Sequence, residues 1–101
     1  MQINVTARHV EVSEALREYL DRKLGRLTKY YDRIQAIEAT VEEEGDLRYQ
    51  LSVEINAEHK KFFNARESGD DLYAMTDLVA DKLATQLTRH KEKFRNRKHP
   101  Q

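Results

Sequence analysis

Asp71-Leu72-Tyr73-Ala74-Met75-Thr76-Asp77-Leu78-Val79-Ala80-Asp81-Lys82-Leu83-Ala84-Thr85-Gln86-Leu87-Thr88-Arg89-His90-Lys91-Glu92-Lys93-Phe94, continued by Arg95-Asn96-Arg97-Lys98, is the stretch whose reading decides the fold. Apolar or near-apolar residues at 72, 76, 79, 83, 87, 90 and 94 recur every three or four positions, which puts them on one side of a helix. Asp70 and Asp71 precede the run, where a carboxylate can accept orphan backbone N–H bonds and meet the positive end of the helix dipole. Cations gather at the other end. A helix with one core-facing stripe needs a sheet or a second helix to cover it, and a basic C-terminal half points to a phosphate-bearing partner.

Upstream, residues 2–8 alternate, with Ile3, Val5 and Ala7 on one side and Asn4, Thr6 and Arg8 on the other, as a half-buried strand does. Ser13 is a good N-cap, and Leu16, Tyr19, Leu20, Leu24, Leu27, Tyr30 and Tyr31 keep helical spacing, predicting a first helix over 13–31. Gly25 lowers its intrinsic stability by about 1 kcal/mol relative to alanine. Ile37, Ala39 and Val41 alternate with Glu38, Thr40 and Glu42 as a second strand, and Glu43-Glu44-Gly45-Asp46 supplies turn chemistry. In the third strand Leu47, Tyr49, Leu51, Val53, Ile55 and Ala57 face one way, with Arg48, Gln50, Ser52, Glu54, Asn56 and Glu58 opposite. After a turn at Glu58-His59-Lys60-Lys61 comes a fourth strand over 62–67, with Phe63 and Ala65 inward.

The order is β-α-β-β-β-α, an α+β fold. A strand-helix-strand unit makes a parallel, right-handed crossover, and the short turns after it make antiparallel hairpins, so the sheet is four-stranded and mixed. Each strand has one apolar face. Both helices therefore cover the same side of the sheet and leave the other side open and polar. Residues 1–95 form this one domain, and Pro100 marks a basic tail, 96–101, expected to be flexible.

The 101 residues suffice for a single core. The chain has no cysteine, which excludes disulfides and thiolate metal sites and fits a reducing compartment. Residues 1–5 lack a signal-peptide-like apolar run and no stretch approaches a membrane span of about 20 apolar residues, so the expected location is the cytoplasm. Eighteen cations balance eighteen carboxylates, but unevenly along the chain. Residues 35–81 carry four basic against twelve acidic residues, and residues 82–101 seven against one. Exposed charges are screened beyond about 8–10 Å, so a neutral chain can still present a basic face.

Arg22, Arg26, Lys29 and Arg33 follow one another at intervals of four, three and four, predicting a cationic stripe beside the apolar one, with Lys23 at its edge. Lys82, Gln86, Arg89 and Lys93 repeat the device on the last helix, and Lys91, Arg95, Arg97 and Lys98 add to it. A charge run on one helix is usually a solvated face. Two runs on adjacent helices, with the acids concentrated elsewhere, point instead to a polyanion and to salt-dependent binding. Base-stacking recognition on the open sheet finds no support, because that face reads Asn4, Thr6, Arg48, Gln50, Ser52 and Asn56 with Phe62 as its one aromatic, and the other aromatics fall mostly at core spacing.

Chemistry of other kinds is sparse. His9, His59, His90 and His99 are scattered, and of these His90, on the apolar edge of a basic helix, is the one kept as a phosphate contact. Glu42-Glu43-Glu44 with Asp46 lacks the spaced oxygen ligands of a calcium loop and reads as a solvated hairpin. Neither a glycine-rich phosphate loop nor a nucleophile motif is present. The expectation is therefore no enzyme, no cofactor, no metal and no small-molecule substrate. Two alternatives stay open: a small acylphosphatase-type enzyme, for which the loop at 8–13 supplies Arg8 but no glycine, and a protein-interaction module using the open sheet.

The pattern Glu14-Ala15-Leu16-Arg17-Glu18-Tyr19, then Leu27 with Tyr30-Tyr31-Asp32-Arg33-Ile34, then Asp71-Leu72-Tyr73-Ala74, and Asp77 with Asp81-Lys82-Leu83-Ala84, Gln86-Leu87, His90-Lys91 and Lys93, resembles the ribosome hibernation promoting factors, which include the ribosome-associated inhibitor called protein Y and are also known as sigma-54 modulation proteins. The resemblance spans residues 1 to about 95. It implies a fold similar to double-stranded-RNA-binding domains. It further implies a stress or stationary-phase protein in the mRNA channel of the small ribosomal subunit near the decoding centre, blocking mRNA and tRNA and inhibiting translation, monomeric off the ribosome. The family's basic helix positions match Lys23, Arg26, Lys82, Arg89, His90, Lys91 and Lys93, while Thr85 stands where many members carry a cation. Arg22, Lys29 and Arg33 join this ribosomal-RNA-binding set on their spacing. Short members work with a second factor to pair ribosomes and long members continue into a dimerisation domain; Arg95-Asn96-Arg97-Lys98 resembles the junction, so the chain fits either a short member or the N-terminal domain of a long one.

Overall fold

The computed structural model describes residues 2–97, with side chains as far as Lys93 other than that of Lys60. Four strands, β1 (Gln2–Arg8), β2 (Ile34–Gly45), β3 (Arg48–Ala57) and β4 (Lys61–Gly69), lie in the order β1-β2-β3-β4. Two helices, α1 (Glu14–Gly25) and α2 (Leu72–Arg97), cover one face, and 3-10 turns follow α1 (Arg26–Lys29) and β3 (Glu58–Lys60). β1 runs parallel to β2, and the β2/β3 and β3/β4 pairs are antiparallel, so the expected mixed sheet is present.

The register turns sequence alternation into two different surfaces. Ile3, Ile37, Ile55 and Phe63 lie abreast across the sheet, and Val5, Ala39, Val53 and Ala65 form the next row. These rows meet Leu16, Leu20, Leu24 and Leu27 from the α1 side and Met75, Val79, Leu83 and Leu87 from α2 in one core. On the reverse face the rows read Asn4, Glu38, Glu54, Asn64 and then Thr6, Thr40, Ser52, Arg66. The two periods of the sequence, two in the strands and 3.6 in the helices, thus converge on one hydrophobic layer.

Helix starts follow the sequence signals. Ser13 Oγ accepts from Leu16 N at 3.1 Å, and Asp71 Oδ1 accepts from Tyr73 N at 3.0 Å and Ala74 N at 3.2 Å. Helix side chains also close both edges of the sheet. Arg17 donates to the carbonyl of Val5 at 3.1 Å, and Gln86 and Lys82 donate to those of Asn64 and Arg66 at 2.7 and 3.4 Å. Unpaired edge carbonyls are a template for association with another strand, and these bonds occupy three of them.

Several expectations are corrected. The first helix does not continue to residue 31: α1 ends at Gly25, where backbone freedom disfavours the helix, and a 3-10 turn over Arg26–Lys29 takes over. The tighter turn keeps Leu27 buried but leaves Tyr30 42 % exposed, with Tyr31 packed at the core's edge. Leu47 is not an inward strand residue. It sits in the β2–β3 turn, 79 % exposed, with φ at 54°. Met75 and Ala80, absent from the expected stripe, are buried, as is Thr76, whose hydroxyl donates to the Leu72 carbonyl at 2.8 Å. The strands β2 and β4 extend beyond the expected spans at both ends. The side chains of Phe94, Arg95 and Arg97, and residues 98–101 of the tail, lie outside the described residues.

The left-handed conformation of Leu47 costs about 1–2 kcal/mol for a residue with a Cβ, and its exposure means no packing is lost on truncation. Leu47→Gly should raise stability by about 0.5–1 kcal/mol after the glycine's own entropic cost. Urea unfolding would report a higher midpoint at unchanged slope, whereas an equal or lower midpoint would mean that the turn holds no such strain.

Candidate nucleic-acid interface

The helices meet along a polar seam. The Tyr19 hydroxyl donates to Asp77 Oδ1 at 2.6 Å, and the Lys23 ammonium pairs with the same oxygen at 3.2 Å. Tyr73 packs edge-on against the Tyr19 ring with centroids 5.1 Å apart, and the Arg22 guanidinium lies 5.3 Å from the centroid of Tyr19. The hydrogen bond to Asp77 is the main cause that raises the Tyr19 phenol above its ordinary pKa. The same bond, helped by Lys23, holds the Asp77 carboxyl below the usual carboxylate range.

The sequence-expected cations fall into two groups. Lys23 is tied to Asp77, Arg33 to Glu58 at 3.0 Å, and Lys82 to Glu67 and the edge carbonyl of β4. No ion pair among the described residues involves Arg22, Arg26, Lys29, Arg89, Lys91 or Lys93. The expected single stripe of Arg22, Arg26, Lys29 and Arg33 is broken up by the end of α1: Arg22 stays on the helix, Arg26 and Lys29 ride the 3-10 turn, and Arg33 sits in the turn before β2. His90 is half-buried, its ring 5.3 Å from that of Tyr31 and 5.4 Å from that of Phe63. This aromatic cluster anchors α2 where the covered part of the helix ends.

Beyond Leu87, the last residue of α2 in the core, the helix overhangs. Its side and the 3-10 turn enclose an open cleft of about 400 Å³ lined by Tyr30, Ala84, Thr85, Thr88, Arg89 and Glu92. An adjoining recess of about 240 Å³ adds Lys29 and Lys91. The structure thus brings Lys29, Arg89 and Lys91 together and sends Lys82 and Arg33 elsewhere. Tyr30 is the residue that sequence reasoning missed. Adjacency with Tyr31 gave no decisive signal, since neighbours about 100° apart on a helix can both be buried, as Met75 and Thr76 are.

The chain is thus a small α+β domain with a one-sided sheet, whose helical layer ends beside a cleft lined by cations. The chain belongs to the family described as sigma 54 modulation protein / S30EA ribosomal protein, whose model matches residues 3–95. It is 36% identical over 96 residues to the ribosome hibernation promoting factor of Escherichia coli strain K12, covering 94% of this chain and 98% of that one. It is 38% identical over 106 residues to the factor of the same name from Azotobacter vinelandii, covering 92% and 85%. Among solved structures, a ribosomal subunit interface protein from Coxiella burnetii matches with a TM-score of 0.82 and 32% identity over 91% of this chain and 99% of that one. The N-terminal domain of Thermus thermophilus Protein Y matches at 0.78 and 27%, covering 89% and 99%.

The seam has a defined pH dependence. Asp77 is depressed in the folded state, so its contribution to stability is present above the ordinary carboxylate value of about 3.9 and is lost as pH falls through its lower folded value. Tyr19 is raised, so its contribution is present below about 10 and is lost as pH climbs through its higher folded value. Asp77→Asn should therefore destabilise at pH 7, with the gap to wild type closing in acid. Denaturant midpoints from pH 2.5 to 7 test this, and a pH-independent gap would rule out the carboxylate as its source.

Proposed function

We propose that this protein silences idle ribosomes by lodging in the mRNA channel of the small subunit near the decoding centre. The reading is non-catalytic. Cations of the 3-10 turn and of the α2 overhang contact ribosomal RNA phosphates, and the folded body excludes mRNA and tRNA from the space it fills. The location is then the bacterial or plastid-type compartment that holds ribosomes, and no helix among the described residues is long and apolar enough to cross a membrane. The observation that carries the reading is the sorting of charge. Arg26, Lys29, Arg89, Lys91 and Lys93 have no carboxylate partner among the described residues, whereas Lys23, Arg33 and Lys82 are already neutralised. Clustering unpaired like charges costs stability, and counterion release on binding a polyanion offsets it. The relatives named as ribosome hibernation promoting factors and as a ribosomal subunit interface protein support the same partner.

Within this mechanism the cations are not equivalent. Arg89, Lys29 and Lys91 meet RNA directly around the cleft, and Arg26 on the 3-10 turn and Arg22 on α1 extend the basic surface. Lys23 and Lys82 act chiefly by holding α2 against α1 and β4, and reach phosphate only by exchanging one carboxylate partner for another. His90 positions the overhang through its contacts with Tyr31 and Phe63.

Co-sedimentation with purified small subunits across a salt series tests the proposal. Wild type should pellet, with affinity falling steeply as salt rises. A variant with Arg26, Lys29, Arg89 and Lys93 changed to glutamate should stay in the supernatant, and the corresponding glutamine variant should flatten the log–log salt slope by about 3, at roughly 0.7–0.9 per lost phosphate contact. Arg66→Glu, on the open sheet face, should pellet as wild type does. Wild type remaining in the supernatant at low salt would sink the ribosomal reading, and loss of binding in Arg66→Glu alone would move the interface to the open sheet.

A further inference from the structure

The cleft between the 3-10 turn and α2 holds more than charge. Tyr30 is 42 % exposed. The rings of Tyr19, Tyr31, Phe63 and Tyr73 each pack edge-on against another ring. Tyr30 has neither a ring partner nor a hydrogen bond to its hydroxyl among the described residues. It is an amphipathic plate left uncovered at the mouth of a basic recess, where water gains nothing from its ring face.

Resting on the RNA-binding reading above, we propose that this cleft is a subsite for one unstacked RNA nucleotide, its base stacked on Tyr30 and its flanking phosphates held by Lys29, Arg89 and Lys91. The size fits: about 400 Å³ lies at the lower end of the roughly 300–1,000 Å³ range of small-molecule sites, and the cleft opens to solvent, so a base can enter from the strand rather than thread a tunnel. Ala84 and Thr85 keep the α2 wall shallow opposite the ring, and the Thr85 hydroxyl is engaged by the Asp81 carbonyl at 3.1 Å. Glu92 and Thr88 line both parts of the cleft and provide acceptors. An exocyclic amine or a ribose 2′-hydroxyl can donate to them. An acidic peptide would meet the same cations but leave the ring bare. A nucleotide uses the ring face, the cations and the acceptors together. Stacking on an aromatic plate combined with a cationic track is the general solution for holding single-stranded nucleic acid.

The test titrates the protein at low salt with a single-stranded RNA hexanucleotide, hexaadenylate, and with the matching abasic ribose-phosphate hexamer, following ring-proton resonances assigned to Tyr30 by their absence in Tyr30→Leu. Wild type should bind hexaadenylate about 5- to 100-fold more tightly than the abasic chain, with upfield shifts of the Tyr30 ring. Tyr30→Phe should keep that preference. Tyr30→Leu should bind both chains alike, at the affinity of the abasic one. Tyr30 is 42 % exposed and its hydroxyl has no partner among the described residues, so Tyr30→Phe should melt as wild type does and Tyr30→Leu should stay folded with a small loss of stability. Equal binding of the two chains by wild type, no binding of either, or a base preference surviving in Tyr30→Leu would each overturn the subsite. Sedimentation with small subunits separates this from the wider reading. Pelleting without a base preference removes the subsite and keeps the ribosomal function, and a base preference without pelleting does the reverse.

Discussion

A sheet with only one apolar face fixes most of this molecule. Because every strand alternates, the rows headed by Ile3 and Val5 are the surface that demands cover, and both helices must lie on it. They are then adjacent, and their shared seam is bridged by Tyr19, Asp77 and Lys23. The helix α2 has 26 residues, about 39 Å, and its last core residue is Leu87. Beyond it, His90 still touches the sheet through Phe63, and Lys91, Glu92 and Lys93 are exposed. An overhanging helix must be polar, and here its polar residues are largely cations.

The same constraint decides what each cation does. A lysine or arginine near a sheet edge finds backbone carbonyls and edge carboxylates within reach, so Arg17 closes β1 while Lys82 and Gln86 close β4. Glu67 ends the inward row that runs Ala7, Val41, Leu51, and a carboxylate at the margin of an apolar layer needs a partner, which Lys82 supplies. Among the described residues the cations on the 3-10 turn and the overhang form no ion pair, and Glu92 is the one carboxylate lining their cleft. Counting charges along a helix cannot make this distinction, because both kinds share one periodicity. Exposed ion pairs contribute little to stability, about 0–1 kcal/mol each, so Lys82 holds α2 to β4 through the Arg66 carbonyl as well as through Glu67.

The fold was legible in the sequence because its signals repeat. Alternation recurs in four strands, and Ser13 and Asp71 mark the helix starts with side chains whose hydrogen bonds are local. What was not legible depends on choices made between neighbours. Whether Tyr30 or Tyr31 faces the core is set by a change from α to 3-10 winding after Gly25, which periodicity assumes away. Leu47 fits strand alternation, but the hairpin closes with Gly45 opposite Arg48, and this puts Leu47 in the turn. Met75 and Thr76 are both buried because the start of α2 lies deep against the sheet, where a stripe one residue wide is too narrow. Of the expected interface, the identity of the residues as cations was visible, and their division into paired and unpaired was not.

Net neutrality is compatible with a polyanion partner because the charges are kept apart by topology. The carboxylates of residues 42–46 sit at the β2–β3 hairpin, and Glu38 and Glu54 stand opposite each other on the open face. Like charges directly across a strand pair are unfavourable, and this pairing follows from the register that aligns the buried Ile37 with Ile55 and Ala39 with Val53. With the screening length near 8 Å at physiological salt, a hairpin at one side of the sheet does little to cancel cations at the overhang. The acidic face opposes docking of the molecule on phosphate in the wrong orientation. Under the proposed ribosomal role the basic cleft supplies attraction in the right one, so the segregation that leaves the chain neutral would give its approach a direction.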